Sequence, residues 1–263
     1  MATTANTEPR VIPKGTSTSF LIDTNLGLFP DQEPWKTFFK ESGIVPESSV
    51  DLVYIDKQVD DHVPDVAFIP IADFHRVLSR GDDYYQALVI GTSKYTGSVN
   101  LPSVLVVRKD DTAQSLDDLM GTEFGYINES CSSSFHAVSV LLEKQDRKLN
   151  EFLKPKKVKP WQGQIDAVIA KEVRSTMLPE DVWLSKASNA DKTKIIGRYD
   201  NAKPALIVAR KDLDKEVRAS LINALVTWAP KWSGLYGPFR PYYLAEVFSF
   251  YHDLDKLAAL VST

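Results

Sequence analysis

The chain of 263 residues contains a single cysteine, Cys131. One thiol cannot close an intramolecular disulfide, and it cannot build a cysteine-rich zinc site. Histidine is equally sparse: His62, His75, His136 and His252 are scattered, and Asp60-Asp61-His62 reads as an acidic loop, so no metal site is expected. A basic excess is missing too. With 31 Lys and Arg against 35 Asp and Glu, the net charge of −4 argues against nucleic acid as a partner. No stretch approaches the ~18 apolar residues of a membrane span. The opening residues have no apolar run behind a basic start, as a secretory signal requires. Residues 1–15 therefore read as a disordered leader, and a cytoplasmic location is expected.

The chain has ample core-forming material, with 43% hydrophobic residues, 12 Phe, 10 Tyr and 5 Trp. At ~150 residues per domain this makes one large domain or two modest lobes. Short runs rich in Val, Ile, Phe and Tyr read as strands. They are Ser19–Asp23, Val50–Ile55, Asp65–Ile71, Gln86–Ile90, Ser103–Val107, Glu123–Asn128, Ile165–Ile169, Lys194–Ile196 and Ala205–Ala209. Between them, Trp35–Ser42, Ala72–Ser79, Ser115–Met120 and Ser133–Lys144 carry helical spacing, as do Asp214–Trp228 and Tyr242–Leu260 near the C-terminus. This alternation predicts an α/β fold with mostly parallel sheets. Ligands of such sheets sit beyond the carboxyl ends of the strands. Lys154-Pro-Lys-Lys-Val-Lys-Pro160 reads as a solvated strand edge, and the aromatics between Trp228 and Tyr243 as core.

The densest chemical signal is Asn128-Glu-Ser-Cys-Ser-Ser-Ser-Phe-His136, which follows a strand and opens a helix. Backbone N–H groups at a helix start have no intrahelical partner and favour negative charge. Ser130, Ser132, Ser133 and Ser134 can add hydroxyl donors, and His136 a further donor or a switchable charge. The group suits a phosphate, phosphonate, sulfate or carboxylate. Ordinary helix capping with solvated serines is the competing reading.

The run Ser115-Leu-Asp-Asp-Leu-Met-Gly-Thr-Glu-Phe-Gly-Tyr-Ile-Asn-Glu-Ser-Cys-Ser-Ser-Ser-Phe-His136 resembles the S-L-x-D-L-x-G-K, strand, x-S-x-S, helix segment of type II periplasmic binding proteins. The nearest branch is the phosphate, phosphite and phosphonate-binding proteins of ABC transporters. Val63-Pro-Asp-Val-Ala-Phe-Ile-Pro70 is similar to that family's G-x-V-D strand, and Gly163-Gln-Ile-Asp-Ala-Val-Ile-Ala170 to its G-x-x-D-A strand. The resemblance implies two lobes with a ligand cleft between them. Lobe one would be 16–95 plus 205–263 and lobe two 96–204, with hinges near Thr92–Ser103 and Tyr199–Ala205. It places the anion on Ser130, Ser132 and Ser133, with Tyr95 and Thr92 at the first crossing, Asn25 after the first strand, and Glu172 near an acidic ligand contact. Cys131 replaces the small residue usual between the two serines, and Ala170-Lys171-Glu172 replaces the usual D-S.

The leading expectation is a cytosolic binding protein that closes its lobes on a small anionic metabolite, needing no cofactor. The alternative is a cofactor-independent lyase, decarboxylase or dehydratase on the same scaffold. For that enzyme the candidates are Cys131 as nucleophile or acid with a lowered pKa, His136 as general base, and Lys171, forming a Schiff base or pairing with Glu172.

Overall fold

The computed structural model describes residues 18–23, 33–42, 50–55, 65–79, 81, 84–228 and 236–261. Asn25, His62 and Trp232 lie outside the described residues. Two sheets organise the described residues.

The first sheet contains β1 (Thr18–Asp23), β2 (Val50–Ile55), β3 (Val66–Ile69), β4 (Tyr85–Ile90), β10 (Leu206–Arg210) and β11 (Arg240–Pro241), in the order β11-β4-β10-β3-β1-β2. The second contains β5 (Ser103–Arg108), β6 (Glu123–Tyr126), β7 (Lys154–Lys157), β8 (Ser175–Pro179) and β9 (Thr193–Tyr199), ordered β7-β6-β8-β5-β9. The chain crosses between the sheets twice, from β4 to β5 and from β9 to β10.

The expectation of mostly parallel sheets is corrected here, because both sheets are mixed. In the first, β1 runs parallel to β2 and β3, while β10 is antiparallel to β3 and β4. In the second, β6 is parallel to β7 and β8, while β5 is antiparallel to β8 and β9. The antiparallel pairs arise because the returning strands join each sheet from the opposite direction. A second correction concerns Ile165–Ile169, which forms part of the helix α5 (Trp161–Ile169) rather than a strand. Trp161, Ile165 and Val168 are spaced by four and three residues, and all three are buried. The basic segment at 154–157 is indeed an edge strand, pairing among the described residues with β6 alone and carrying three lysines and a proline.

Around the first sheet lie α1 (Glu33–Ser42), α2 (Ile71–Ser79) and α8 (Lys215–Thr227). Trp35 of α1 packs on Phe68 with centroids 5.6 Å apart and on Trp228 at 5.3 Å, and Phe68 meets Phe239 at 6.2 Å. Burial of each such ring stabilises by roughly 1.5–3 kcal/mol before its entropic cost. The second sheet carries α3 (Ala137–Glu143), α4 (Leu149–Phe152), α5, α6 (Glu180–Leu184) and α7 (Ala187–Lys192). The last helix, α9 (Leu244–Val261), touches both α2 and α3, so it spans the junction of the two halves.

Both crossings are tied down by side chains. Ser93 Oγ donates to Asp181 Oδ1 at 3.1 Å, and the Lys94 amide donates to Asp181 Oδ2 at 2.7 Å. Thr92 Oγ1 donates to the Pro238 carbonyl at 2.7 Å, while the Gly237 amide donates to the Thr92 carbonyl at 2.8 Å. At the second crossing, Tyr199 Oη donates to Asp253 at 2.6 Å and Asn201 Nδ2 donates to the same carboxylate at 3.1 Å. A Cβ at Gly237 would lie 2.8 Å from Thr92 Oγ1 and 3.0 Å from the Ser93 carbonyl. Gly237→Ala is therefore expected to destabilise the fold by about 1–3 kcal/mol through overpacking. Urea unfolding checks this, and an unchanged midpoint would contradict the close approach.

Candidate functional site

The site is built where β6 ends. Asn128 Oδ1 accepts the Ser130 amide at 2.9 Å, a side-chain turn that reverses the chain directly after the strand. Ser132–His136 then form a π-helical turn, closed by the His136 amide on the Cys131 carbonyl at 3.1 Å, and α3 continues from it. The extra residue of such a turn rotates the side chains, and that rotation divides the motif between two compartments.

Ser130 reaches across to the other half of the molecule, and Ser132 to the second crossing. Ser130 Oγ donates to Asp73 Oδ1 of α2 at 2.8 Å, and Asp73 also holds Arg76 at 3.0 Å. Ser132 Oγ donates to the backbone carbonyl of Lys203 in the second crossing. Together with Pro70, Ile71 and Tyr236 from the first half, Cys131, Ser132 and Ser133 line an interlobe cleft, to which Trp161 and Lys203 also contribute. Its free volume is only about 10 Å³. That is about the space of one water molecule.

Ser130, Phe135, His136 and Ser139 face the opposite way, into a separate cavity of about 740 Å³ bounded by α2, α4 and α9. Cys131 is thus directed to the cleft and His136 to the cavity. Lys171 and Glu172 sit in the exposed turn that ends α5, where the Glu172 amide bonds the Ala167 carbonyl at 2.9 Å; they line neither space. Thr92 is buried and spends its hydroxyl on Pro238, and Tyr95 at the first crossing is half exposed. The structure brings Cys131, Ser132 and Ser133 together, keeps Ser130 and Ser134 on the same turn, and leaves Lys171, Glu172 and Tyr95 outside the cleft wall.

Burial dominates the electrostatics. The Ser133 and Ser134 amides favour a Cys131 thiolate, yet desolvation outweighs them and pushes the thiol up to about 12. The expected lowering at a helix start is therefore reversed. His136 is pushed down to about 4 by burial, helped by neighbouring His75, so its ring is neutral. Lys203 is almost fully buried; desolvation pulls it down to about 8 against the attraction of Glu246 and Asp253, and its ammonium donates to Asn100.

Trp161, Asp181 and Lys203 were not singled out by sequence reasoning, which read Asp73 only as a helix cap and Tyr236 only as core. Trp161 left one trace, an aromatic directly after Pro160 at a helix start. The Trp161 indole nitrogen and Ser134 Oγ are buried with no hydrogen-bond partner in the structure.

A family model described as the phosphonate ABC transporter periplasmic substrate-binding protein matches residues 64–235, well over half of the chain. The chain belongs to this family. Solved structures share the two-lobed fold of this phosphonate-binding family at low identity. PhnD1 from Prochlorococcus marinus, in complex with methylphosphonate, aligns with a TM-score of 0.71 at 13% identity, over 92% of this chain and 98% of its own. The binding protein component of an ABC phosphonate transporter from Pseudomonas aeruginosa gives 0.66 at 16% identity, covering 91% of this chain and 87% of its own. A Xanthomonas citri protein bound to ATP gives 0.69 at 13% identity, over 93% and 99% of the two chains. No curated protein sequence matches at a significant level.

Two measurements test the site's electrostatics. The native Cys131 thiol is expected to resist an aromatic disulfide reagent at about pH 8 and to react fully once urea unfolds the chain; rapid native labelling would contradict its burial. Lys203 has an ordinary value of 10.5 when unfolded and about 8 when folded. Between these values the unfolded chain holds a proton that the folded chain has released, so this group's contribution to stability rises with pH. The stability of Lys203→Met relative to the parent should accordingly fall between about pH 7.5 and about pH 9.5, read by urea unfolding.

Proposed function

We propose that this protein binds a small phosphonate-type oxyanion in the interlobe cleft, by opening and reclosing its two lobes around the ligand. The observation that supports this best is the surplus of donors at the cleft. The Trp161 indole N–H is buried without a partner in the cleft wall. Beside it lies Ser133, at the start of the helix that runs from 132 to 143, where the Ser133 and Ser134 amides meet the Cys131 sulfur, a weak acceptor, rather than an intrahelical carbonyl. A buried donor left unmade costs about 1–3 kcal/mol, and an anion that accepts from several of them recovers that cost.

Entry requires the closed junction to yield. The Ser130–Asp73 and Ser132–Lys203 bonds must part, at roughly 1–3 kcal/mol each for a bond to a carboxylate and less for the neutral one. A ligand stabilises the closed form only if it touches both lobes, so that its affinity differs between open and closed states. Lys203 meets this need from the crossing side, since an arriving negative charge favours its ammonium form. The likeness to PhnD1, solved with methylphosphonate, supports the choice of ligand class.

Calorimetric titration with methylphosphonate, inorganic phosphate and sulfate tests the reading. At least one should bind saturably. Trp161→Phe and Ser133→Ala should each weaken binding about tenfold, the equivalent of about 1.4 kcal/mol. Absence of heat and of any thermal shift with all three anions at millimolar concentration would remove the proposal.

A further inference from the structure

The cavity of about 740 Å³ lies on the far side of the serine turn from the cleft. Its walls come from both halves of the molecule, α2 and α9 on one side, the π-turn with α3 and the 147–151 segment on the other. Ligand pockets commonly span roughly 300–1,000 Å³, so the space suits an organic molecule of several rings. Phe135, Leu149, Leu254 and Leu257 give it a largely apolar surface.

The charges around it decide the class of ligand. Asp73 is held by Arg76 at 3.0 Å, Glu129 accepts from Tyr126 at 2.7 Å, Arg147 pairs with Asp117 at 2.5 Å, and His75 meets Asp255 at 3.2 Å. Lys148 and Glu151 remain at the rim, opposite in sign and three residues apart. The lining therefore offers no net positive field, since three cations, Arg76, Arg147 and Lys148, face four carboxylates. Such a wall disfavours an anion, in contrast to the donor-rich cleft. Among the polar groups in its wall is the His136 ring, whose Nδ1 is buried without a hydrogen-bond partner in the structure.

We infer that this cavity is a second ligand site, taking an uncharged, mostly apolar ring compound that exchanges one hydrogen bond with His136. It does not depend on the anion reading, because it uses different residues and a different chemistry. Because both lobes wall it, an occupant favours the lobe arrangement seen here.

The uncharged fluorophore N-phenyl-1-naphthylamine, which carries one N–H, is a suitable probe, with its sulfonated relative 1-anilinonaphthalene-8-sulfonate as the charged counterpart. Fluorescence titration of the full chain without added anion should show saturable binding of the uncharged probe, several-fold tighter than the sulfonate. Ala258→Trp and Ser79→Trp introduce bulk at exposed rim positions and leave the core untouched. Each should weaken the uncharged probe about tenfold or more, while His136→Phe should weaken it about fivefold with the apolar wall retained. Failure of the probe to bind, parent-like binding in both tryptophan variants, or tighter binding of the sulfonate would overturn the inference. A failed anion titration beside a successful probe titration would remove the cleft proposal alone.

Discussion

Two hydroxyls fasten the halves of this molecule together. Ser130 donates to Asp73 and Ser132 to the Lys203 carbonyl, and both sit within one turn after β6. The position of that turn sets the free volume of the cleft, the burial of Cys131 and one wall of the neighbouring cavity. Bonds of this kind are individually modest. Their leverage comes from place: one joins the turn to α2 of the other half and the other joins it to the second crossing.

The same burial rewrites the chemistry that the residue types suggest. A cysteine at a helix start invites a reactive thiolate, and amide groups do point that way. Desolvation is the larger effect, as it is for His136 and Lys203, where the charged forms are disfavoured as well. The turn therefore presents neutral donors rather than a nucleophile and a base. With Lys171 and Glu172 exposed on another turn, the four residues that an enzyme on this scaffold would have used do not form one constellation.

Much of this was legible in the chain. The strand and helix that flank Ser130–Ser134, the exposed edge at Lys154–Lys157 and the buried Tyr236 and Phe239 follow from periodicity, turn chemistry and composition. Ile165–Ile169 was misread because a short apolar run looks alike in a buried strand and a buried helix; the arbitrating residue, Trp161, lies four positions upstream. The mixed sheets were out of reach, since strand direction depends on how distant segments return and not on local pattern. Lys203 and Asp181 were invisible for a related reason. A lysine or aspartate in sequence reads as a surface group, and only the crossings' packing makes these two buried partners of the junction.

The strand order has a consequence for how the chain is assembled as it is made. β10 lies between β4 and β3, although more than a hundred residues separate it from either. The second sheet, by contrast, is drawn from one uninterrupted stretch. A nascent chain that has emerged only as far as β9 possesses every strand of the second sheet. Its first sheet is still split into β1-β2-β3 on one side and a lone β4 on the other, each with an unpaired edge. The half of the molecule that is synthesised first is thus completed last.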